Sequence, residues 1–257
     1  GLAVSFGPYL IFNRWLAHAW WPNTFFAKQA EYAQRIAAYS LIERLGAQFV
    51  QPLLGVGLFL LPGFMALLVL AVRQRRWPIV LSMTWMFGHL TLYALRLPVT
   101  YQHGRYAIPA IAVYLLWGWL GSLRILLQWW QQPERRLFAF GGVSLLALLA
   151  VSMTALGAGS YARDVAVIDT QMVETAQWIA TELPSDALIA AHDIGALGYF
   201  APRPIVDLAG LVSPDVIPFI RDEAQLSTYL DQQVVDYVLT FPDWYETLID
   251  GRAVVYQ

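Results

Sequence analysis

The sequence predicts a membrane α-helical bundle of about five transmembrane helices, followed by a small α/β extracytoplasmic domain. Three observations carry this. The chain is 58% hydrophobic and only 13% charged over 257 residues, roughly half the charge of an ordinary soluble domain. Its uncharged apolar runs reach the length of about 20 residues needed to cross about 30 Å of hydrocarbon. Residues 160–257 then carry fifteen Asp or Glu against four Arg and no Lys, a formal charge of −11, and their apolar residues become periodic. This composition excludes a disordered chain, a nucleic-acid binder with a basic surface and an ordinary cytosolic enzyme. With no Cys, the chain has no disulfide framework, no thiolate metal site and no cysteine nucleophile. Eleven Trp, thirteen Tyr and thirteen Phe suit membrane–water interfaces, where amphipathic rings collect.

The elements follow in order. Residues 2–12 read as the end of a helix, and because Gly1 rather than Met opens the chain inside an apolar run, the sequence reads as a fragment. No cleavable leader is visible, since a basic n-region and a small-residue cleavage site are missing. Residues 30–46 mix polar and apolar faces and read as an amphipathic helix lying in the interface, within an external loop-helix at 21–51. Residues 53–72, 106–123 and 137–159 contain no charge, and 79–95 contains only His89 as an ionisable group. His89 reads as a neutral histidine bonded to a neighbouring helix or, alternatively, as a group lining a cavity. Arg73, Arg75 and Arg76 in one short loop, and Arg124, Arg135 and Arg136 around another, place those loops in the cytoplasm by the positive-inside rule. Residues 22–51, 98–105 and everything after 159 then lie outside, giving a transmembrane domain over 1–159 and an acidic external domain over 160–257.

In that last domain, 168–183 has helical spacing closed by Pro184. Short apolar runs at 187–191, 205–207 and 235–239 read as buried strands, with 252–256 as a last one. Helical segments after Pro214 and after Asp222 lie between them. Such alternation points to a partly parallel sheet, and about 98 residues suffice for one modest core.

Three places carry chemistry. In Trp21-Pro22-Asn23-Thr24-Phe25-Phe26-Ala27-Lys28-Gln29-Ala30-Glu31-Tyr32, a turn leads to a lysine and a glutamate within one helical turn. Lys28 could neutralise a lipid phosphate as a compact point charge, or snorkel as an interface anchor. In Tyr101-Gln102-His103-Gly104-Arg105-Tyr106, the cations Arg96, His103 and Arg105 cluster in a chain that spends charge sparingly. Arg105 is placed at the start of a helix, where free amides favour an anion and a guanidinium adds a bidentate fork for phosphate; arginines also simply mark span ends. His192 and Asp193 follow a strand, where groups of an α/β sheet often line a site. They could serve acid–base chemistry, or Asp193 could merely cap the next helix. His192, Asp193 and Asp207 do not make a metal-ligand spacing, and Gly195 with Gly198 falls short of a dinucleotide fingerprint.

The first of these motifs resembles an external loop of polyprenyl-phosphate-sugar-dependent glycosyltransferases of the GT-C superfamily, nearest to the mycobacterial terminal arabinofuranosyltransferase group and its bacterial relatives. The run from Tyr101 to Tyr106, leading into Ile108-Pro109-Ala110, is similar to the entrance of a late helix there. His192-Asp193-Ile194-Gly195-Ala196-Leu197-Gly198-Tyr199-Phe200 and Val206-Asp207-Leu208-Ala209-Gly210-Leu211 resemble the C-terminal extracytoplasmic domain of the same proteins. The resemblance implies the C-terminal part of an integral enzyme of the bacterial cytoplasmic membrane, acting at the cell envelope. Its implied partners are membrane lipid, a polyprenyl-phosphate sugar donor and a glycan, lipid or protein acceptor, with no nucleic acid. Arg105, Lys28 and His103 are the expected donor-phosphate contacts, and Asp193, Asp207 and His192 the acceptor-side groups. The superfamily places its catalytic carboxylate in a first external loop that this chain does not contain, so no base is assigned; no cofactor is specified and no metal site is expected. The alternative is a non-catalytic membrane-anchored protein whose external α/β domain binds a glycan or a partner protein. A transporter fits less well, since the spans hold one His and no acid.

Overall fold

The computed structural model describes residues 2–256. The chain is mostly helical and divides into two compact units. One is Gln34–Ala162; the other joins the residues up to Ala33 with those from Arg163 onward.

The first of these is all helical, with α3 (Ala33–Ala38) at its edge, then α4 (Leu41–Val50), α5 (Gly57–Arg73), α6 (Trp77–Arg96), the single turn α7 (Tyr101–Gly104), α8 (Ile108–Trp130) and the long α9 (Arg136–Val167). Small residues let helix backbones approach closely. The crossing of α5 and α8 works this way. A Cβ added at Gly118 would lie 2.9 Å from the Leu60 Cβ, and one at Gly121 would collide with the Gly63 carbonyl. Around the crossing, Leu60, Phe64, Met83, Met86, Leu90, Ala110 and Tyr114 form one buried cluster. Its polar atoms are satisfied: the Tyr114 hydroxyl donates to the Gly57 carbonyl (2.8 Å) and Trp117 Nε1 to Ser82 Oγ (2.8 Å). His89 Nε2 reaches the Tyr106 carbonyl at 2.8 Å, in the turn that precedes α8 rather than in a neighbouring helix. On α9, by contrast, Leu137, Phe138, Leu148 and Val151 are all exposed, and only Ala139 and Leu146 are buried.

By length and composition, Trp77–Arg96, Ile108–Trp130 and Pro133–Glu182 are apolar and long enough to cross a membrane, and Leu41–Leu53 with Gly57–Arg73, bent by 94°, makes a fourth if the pair is one span. The helix α1 (Leu2–Ala17) has 16 residues, short of that length. The interfacial helix expected at 30–46 is interrupted. Ser40 accepts the Glu43 N–H and donates its own N–H to the Glu43 carboxylate (2.8 Å), a capping box that begins a new helix.

In the second unit, α1 and α2 (Asn23–Glu31) join the acidic domain. A π-turn at Ile168–Val173 leads into α10 (Glu174–Glu182), followed by β1 (Ile189–Ala191), α11 (Gly195–Phe200), β2 (Ile205–Asp207), a 3₁₀ segment Pro214–Phe219, α12 (Glu223–Gln232), β3 (Tyr237–Leu239), a 3₁₀ turn Pro242–Trp244 and α13 (Glu246–Ile249). The strands form a parallel sheet in the order β2-β1-β3, with Ile189 beside Ile205 and Tyr237. Alternation across the pleat divides the core. Ile189 and Ala191 pack with Ile179 and Leu197, while Ala190 packs with Leu208, Val216, Leu226 and Leu248. Arg203 closes α10 by donating to the Ile179 and Pro184 carbonyls (both 3.0 Å), as a cation at a helix C-terminus should. The expected strand at 252–256 is not formed; there Tyr256 stacks on Trp178 at 4.6 Å, using the segment as a side-chain cover rather than as a ladder.

Candidate functional site

Helix α2 is fastened into the acidic domain by its own sequence. Ala27 and Glu31 are one helical turn apart, share a face and are buried. Gly210, at φ +70°, sits where a Cβ would come within 2.8 Å of the Ile217 side chain and at ordinary contact distance, 3.6 Å, from the Ala27 Cβ, so the positive φ and the crowding by Ile217 both favour glycine in this loop beside α2. Glu31 is 5% exposed and takes two cations. Lys28 Nζ donates to Oε2 at 2.6 Å, and Arg221 Nη2 to Oε1 at 3.3 Å. Arg221 also donates its Nε to the Glu31 carbonyl (3.2 Å), holding both the side chain and the helix end.

The same charges act on the carboxyl edge of the sheet. His192 directly follows β1, half-buried. Its Nδ1 shares a hydrogen bond with the Tyr245 hydroxyl at 2.7 Å, and its ring stands edge-to-face with Trp244 at 4.9 Å. Burial holds its pKa below the ordinary histidine value; Glu31 and Asp193 oppose this, while Lys28 and Arg221 reinforce it. His192 is therefore a neutral imidazole at pH 7. Burial also pushes the Tyr245 phenol well above its ordinary value, so it stays protonated. Asp193 is exposed and does not cap α11, whose N-cap position is Ile194 without a side-chain bond. Asp207, at the end of β2, is fully buried. Its carboxylate accepts the N–H groups of Ala209 (2.8 Å), Leu211 (2.6 Å) and Val212 (2.9 Å), which fixes the loop that receives α2 and leaves it turned away from solvent.

Arg105 and His103 belong to the helical unit. The turn before α8 is tight: Gln102 and His103 take left-handed angles (φ 50° and 57°) beside Gly104 at φ 67°. Helix α4 holds this connection along one face. Gln48 Nε2 donates to the Val99 carbonyl (3.1 Å) and Arg44 Nη1 to that of Ala94 (3.4 Å). Arg105 is exposed, and Nη2 donates to the hydroxyls of Tyr101 (3.1 Å) and Tyr106 (2.8 Å), with its guanidinium over both rings at 5.2 and 4.8 Å. Phenols orient it without neutralising it, and it stands three residues ahead of the apolar α8.

The structure thus gathers Lys28, His192, Asp193 and Asp207 within one unit and keeps Arg105 with His103 in the other. Glu31 was legible as the neighbour of Lys28, but Arg221, Trp244 and Tyr245 carried no local signal; Arg221 was findable only as one of four basic residues in an acidic segment. Among the described residues no three His, Asp or Glu side chains converge to hold a metal ion. Residues 163–256 match the family described as "Domain of unknown function (DUF8728)". No curated protein matches the chain, and no solved structure does.

Proposed function

We propose that the chain is part of an integral membrane glycosyltransferase of GT-C type, which moves a sugar from a polyprenyl-phosphate donor to an extracytoplasmic glycan, lipid or protein acceptor. The observation that supports this best is Arg105. It is an exposed guanidinium fixed by two phenols, with no carboxylate partner among the described residues, at the mouth of an apolar helix where a lipid-borne phosphate arrives at headgroup depth. In such a transfer the acceptor oxygen bonds to the anomeric carbon while the bond from that carbon to the phosphate oxygen breaks. The departing phosphate keeps the electron pair, and a fixed cation stabilises that growing charge. Lys28 is a weaker candidate for this role, because Glu31 already engages it at 2.6 Å. Glu31 is likewise committed to two cations, so no base is assigned to it.

The ion pair between Glu31 and Arg221 supports an orientation as well. Two segments in contact lie on the same side of a membrane, which requires an even number of crossings between them. Helices α6, α8 and α9 supply three, and the bent pair of α4 and α5, taken as one span, supplies a fourth, consistent with the side assigned to both segments by the arginine-rich loops.

The test is the full chain in proteoliposomes with a radiolabelled polyprenyl-phosphate sugar. Wild type should retain the donor, and Arg105→Ala should weaken retention by roughly tenfold or more, the worth of a charge-assisted contact to phosphate, at unchanged expression. Equal retention by the variant refutes the phosphate role. Absence of any donor binding by the wild type favours the membrane-anchored binding protein.

A further inference from the structure

The helical unit is as basic as the other is acidic. Residues 34–162 hold ten Arg against two Glu, a formal charge of +8, and three of those arginines fall within four residues. Arg73 ends α5, and Arg75 and Arg76 make the turn to α6. All three are exposed, and none of their guanidiniums has a partner among the described residues.

The turn carries them at a cost. The Arg76 N–H donates to the Ala71 carbonyl (2.8 Å) and the Arg75 N–H to that of Val72 (3.1 Å), the paired bonds of a Schellman C-cap. That motif puts Arg75 in the left-handed region, at φ +54°, which glycine adopts freely and other residues do not. A charge that merely orients a span needs no particular place in its loop. An arginine kept in a strained one points to a contact that uses it.

The face of α5 that leads to this turn is hollowed. Leu60, Phe64, Leu67 and Ala71 form its buried stripe. On the opposite face, Met65, Ala66, Val69, Leu70 and Arg73 line an open groove of about 420 Å³. The short side chain of Ala66 sets its floor between longer neighbours. From Met65 to Arg73 it runs about 12 Å along the axis, at 1.5 Å per residue. Its walls are apolar and its end is a cluster of unpaired cations. Cationic ligands are repelled by that charge. An acidic peptide or a nucleic acid would have no use for the apolar walls, and a neutral lipid would leave the arginines unpaired. An anionic head on an acyl chain satisfies both parts.

We propose that this groove is a site for an anionic phospholipid, with its phosphate held by Arg73 and Arg75 and one acyl chain laid along Met65, Ala66 and Val69. Basic pockets beside the cytoplasmic ends of spans hold lipid heads by the same attraction. The site requires that α5 lie in a membrane; it does not require that the chain transfer a sugar.

The experiment titrates the full chain in detergent with phosphatidylglycerol or phosphatidylcholine and reads the affinity of the first bound lipid by native mass spectrometry. It is done on the Arg105→Ala protein, so that the exposed arginine before α8 takes no lipid. Phosphatidylglycerol should bind about fivefold tighter or more, and Arg73→Gln and Arg75→Gly should each weaken it by about fivefold, the worth of one arginine beside an anionic lipid. Arg75→Gly should also melt no lower than its parent, because glycine suits that turn, so its loss of lipid is not a loss of fold. Ala66→Trp fills the groove and leaves every charge in place, and it should weaken phosphatidylglycerol binding as well. Arg136→Gln, in the other arginine-rich loop, should leave it unchanged. Equal affinity for the two lipids overturns the proposal, as does phosphatidylglycerol binding that survives Arg73→Gln or falls equally with Arg136→Gln. Binding that survives Ala66→Trp reduces the arginines to loose counter-charge and overturns the groove. Phosphatidylglycerol binding without retention of the polyprenyl-phosphate sugar by wild type sinks the donor reading and leaves this site standing; the converse does the reverse.

Discussion

Replacing Glu31 by Gln tests whether α2 is truly fastened to the acidic domain. The substitution keeps the shape of the side chain and removes its charge, leaving Lys28 and Arg221 facing a neutral amide. Removing one partner of a fully buried ion pair costs about 3–5 kcal/mol, whereas an exposed pair is worth about 0.2–1 kcal/mol. Glu31 is 5% exposed, Lys28 20% and Arg221 44%, so the pairs lie between those limits. The short bond to Lys28 should account for about 1–2 kcal/mol and the longer, wetter one to Arg221 for about 0.5–1 kcal/mol. A loss of about 1.5–3 kcal/mol corresponds to a fall of about 3–12 °C in Tm for a domain of 150–250 residues. Thermal unfolding of the full chain in detergent, followed by tryptophan fluorescence, measures it. A cycle of Glu31→Gln, Arg221→Gln and the double variant should show a coupling of about 0.5–1 kcal/mol that weakens little in 0.5 M salt, since a buried carboxylate is poorly screened. A Glu31→Gln protein that melts within 1 °C of wild type, or strictly additive single effects, would refute the reasoning.

Three further outcomes follow from the same geometry. His192 has a depressed pKa when folded, so the unfolded chain takes up its proton first; stability should be constant above the ordinary histidine value of about 6.5 and fall as pH drops below it. His192→Gln should remove that slope between pH 7 and 5 in urea unfolding, and the carboxylate Glu223, whose pKa burial raises but whose bonds from Thr247 and Leu248 pull it below normal overall, should lose its contribution only at lower pH, below about 4.5. Gly121→Leu should abolish the α5 and α8 crossing, because any Cβ there meets the Gly63 carbonyl; overpacking costs about 1–3 kcal/mol even when neighbours can shift, and backbone cannot, so the variant should be recovered only as aggregate in size-exclusion chromatography. Asp207→Asn should destabilise by about 1–3 kcal/mol, because an amide cannot accept all three backbone N–H groups, and hydrogen exchange at Ala209, Leu211 and Val212 should quicken while that of α8 does not change.

The sheet was legible because each strand is a short apolar run between turn residues, and the structure places β1, β2 and β3 inside the runs at 187–191, 205–207 and 235–239. The run at 252–256 has a similar composition but joins neither sheet edge, and Tyr256 stacks on Trp178 instead. The interfacial helix was drawn through Ser40 because apolar spacing continues across it; the capping box won locally. Asp193 followed the pattern of an N-cap, yet α11 begins one residue later than that role requires, with Ile194 at the N-cap position. At the candidate site, Lys28 and Arg105 stand out in sequence because charge is scarce around them. Arg221 does not, since its partner Glu31 lies 190 residues away, and no spacing rule reports a contact between segments that far apart. Trp244 and Tyr245 were hidden for a different reason: in a chain with eleven Trp and thirteen Tyr, one more aromatic pair carries no signal until a strand order says where it stands.

The seat of α2 also bears on how the acidic domain can be handled. The family match spans 163–256, the piece a protein chemist would excise to obtain a soluble fragment. That piece omits Ala27 and Glu31, so it would bare the Gly210 loop and strand Arg221 without its carboxylate. Such a fragment should be sticky and loosely folded, and a synthetic peptide covering 20–34 should tighten it when added in trans. In the ribosome's order of events the same dependence reverses: α2 is made first and waits for a surface synthesised some 190 residues later.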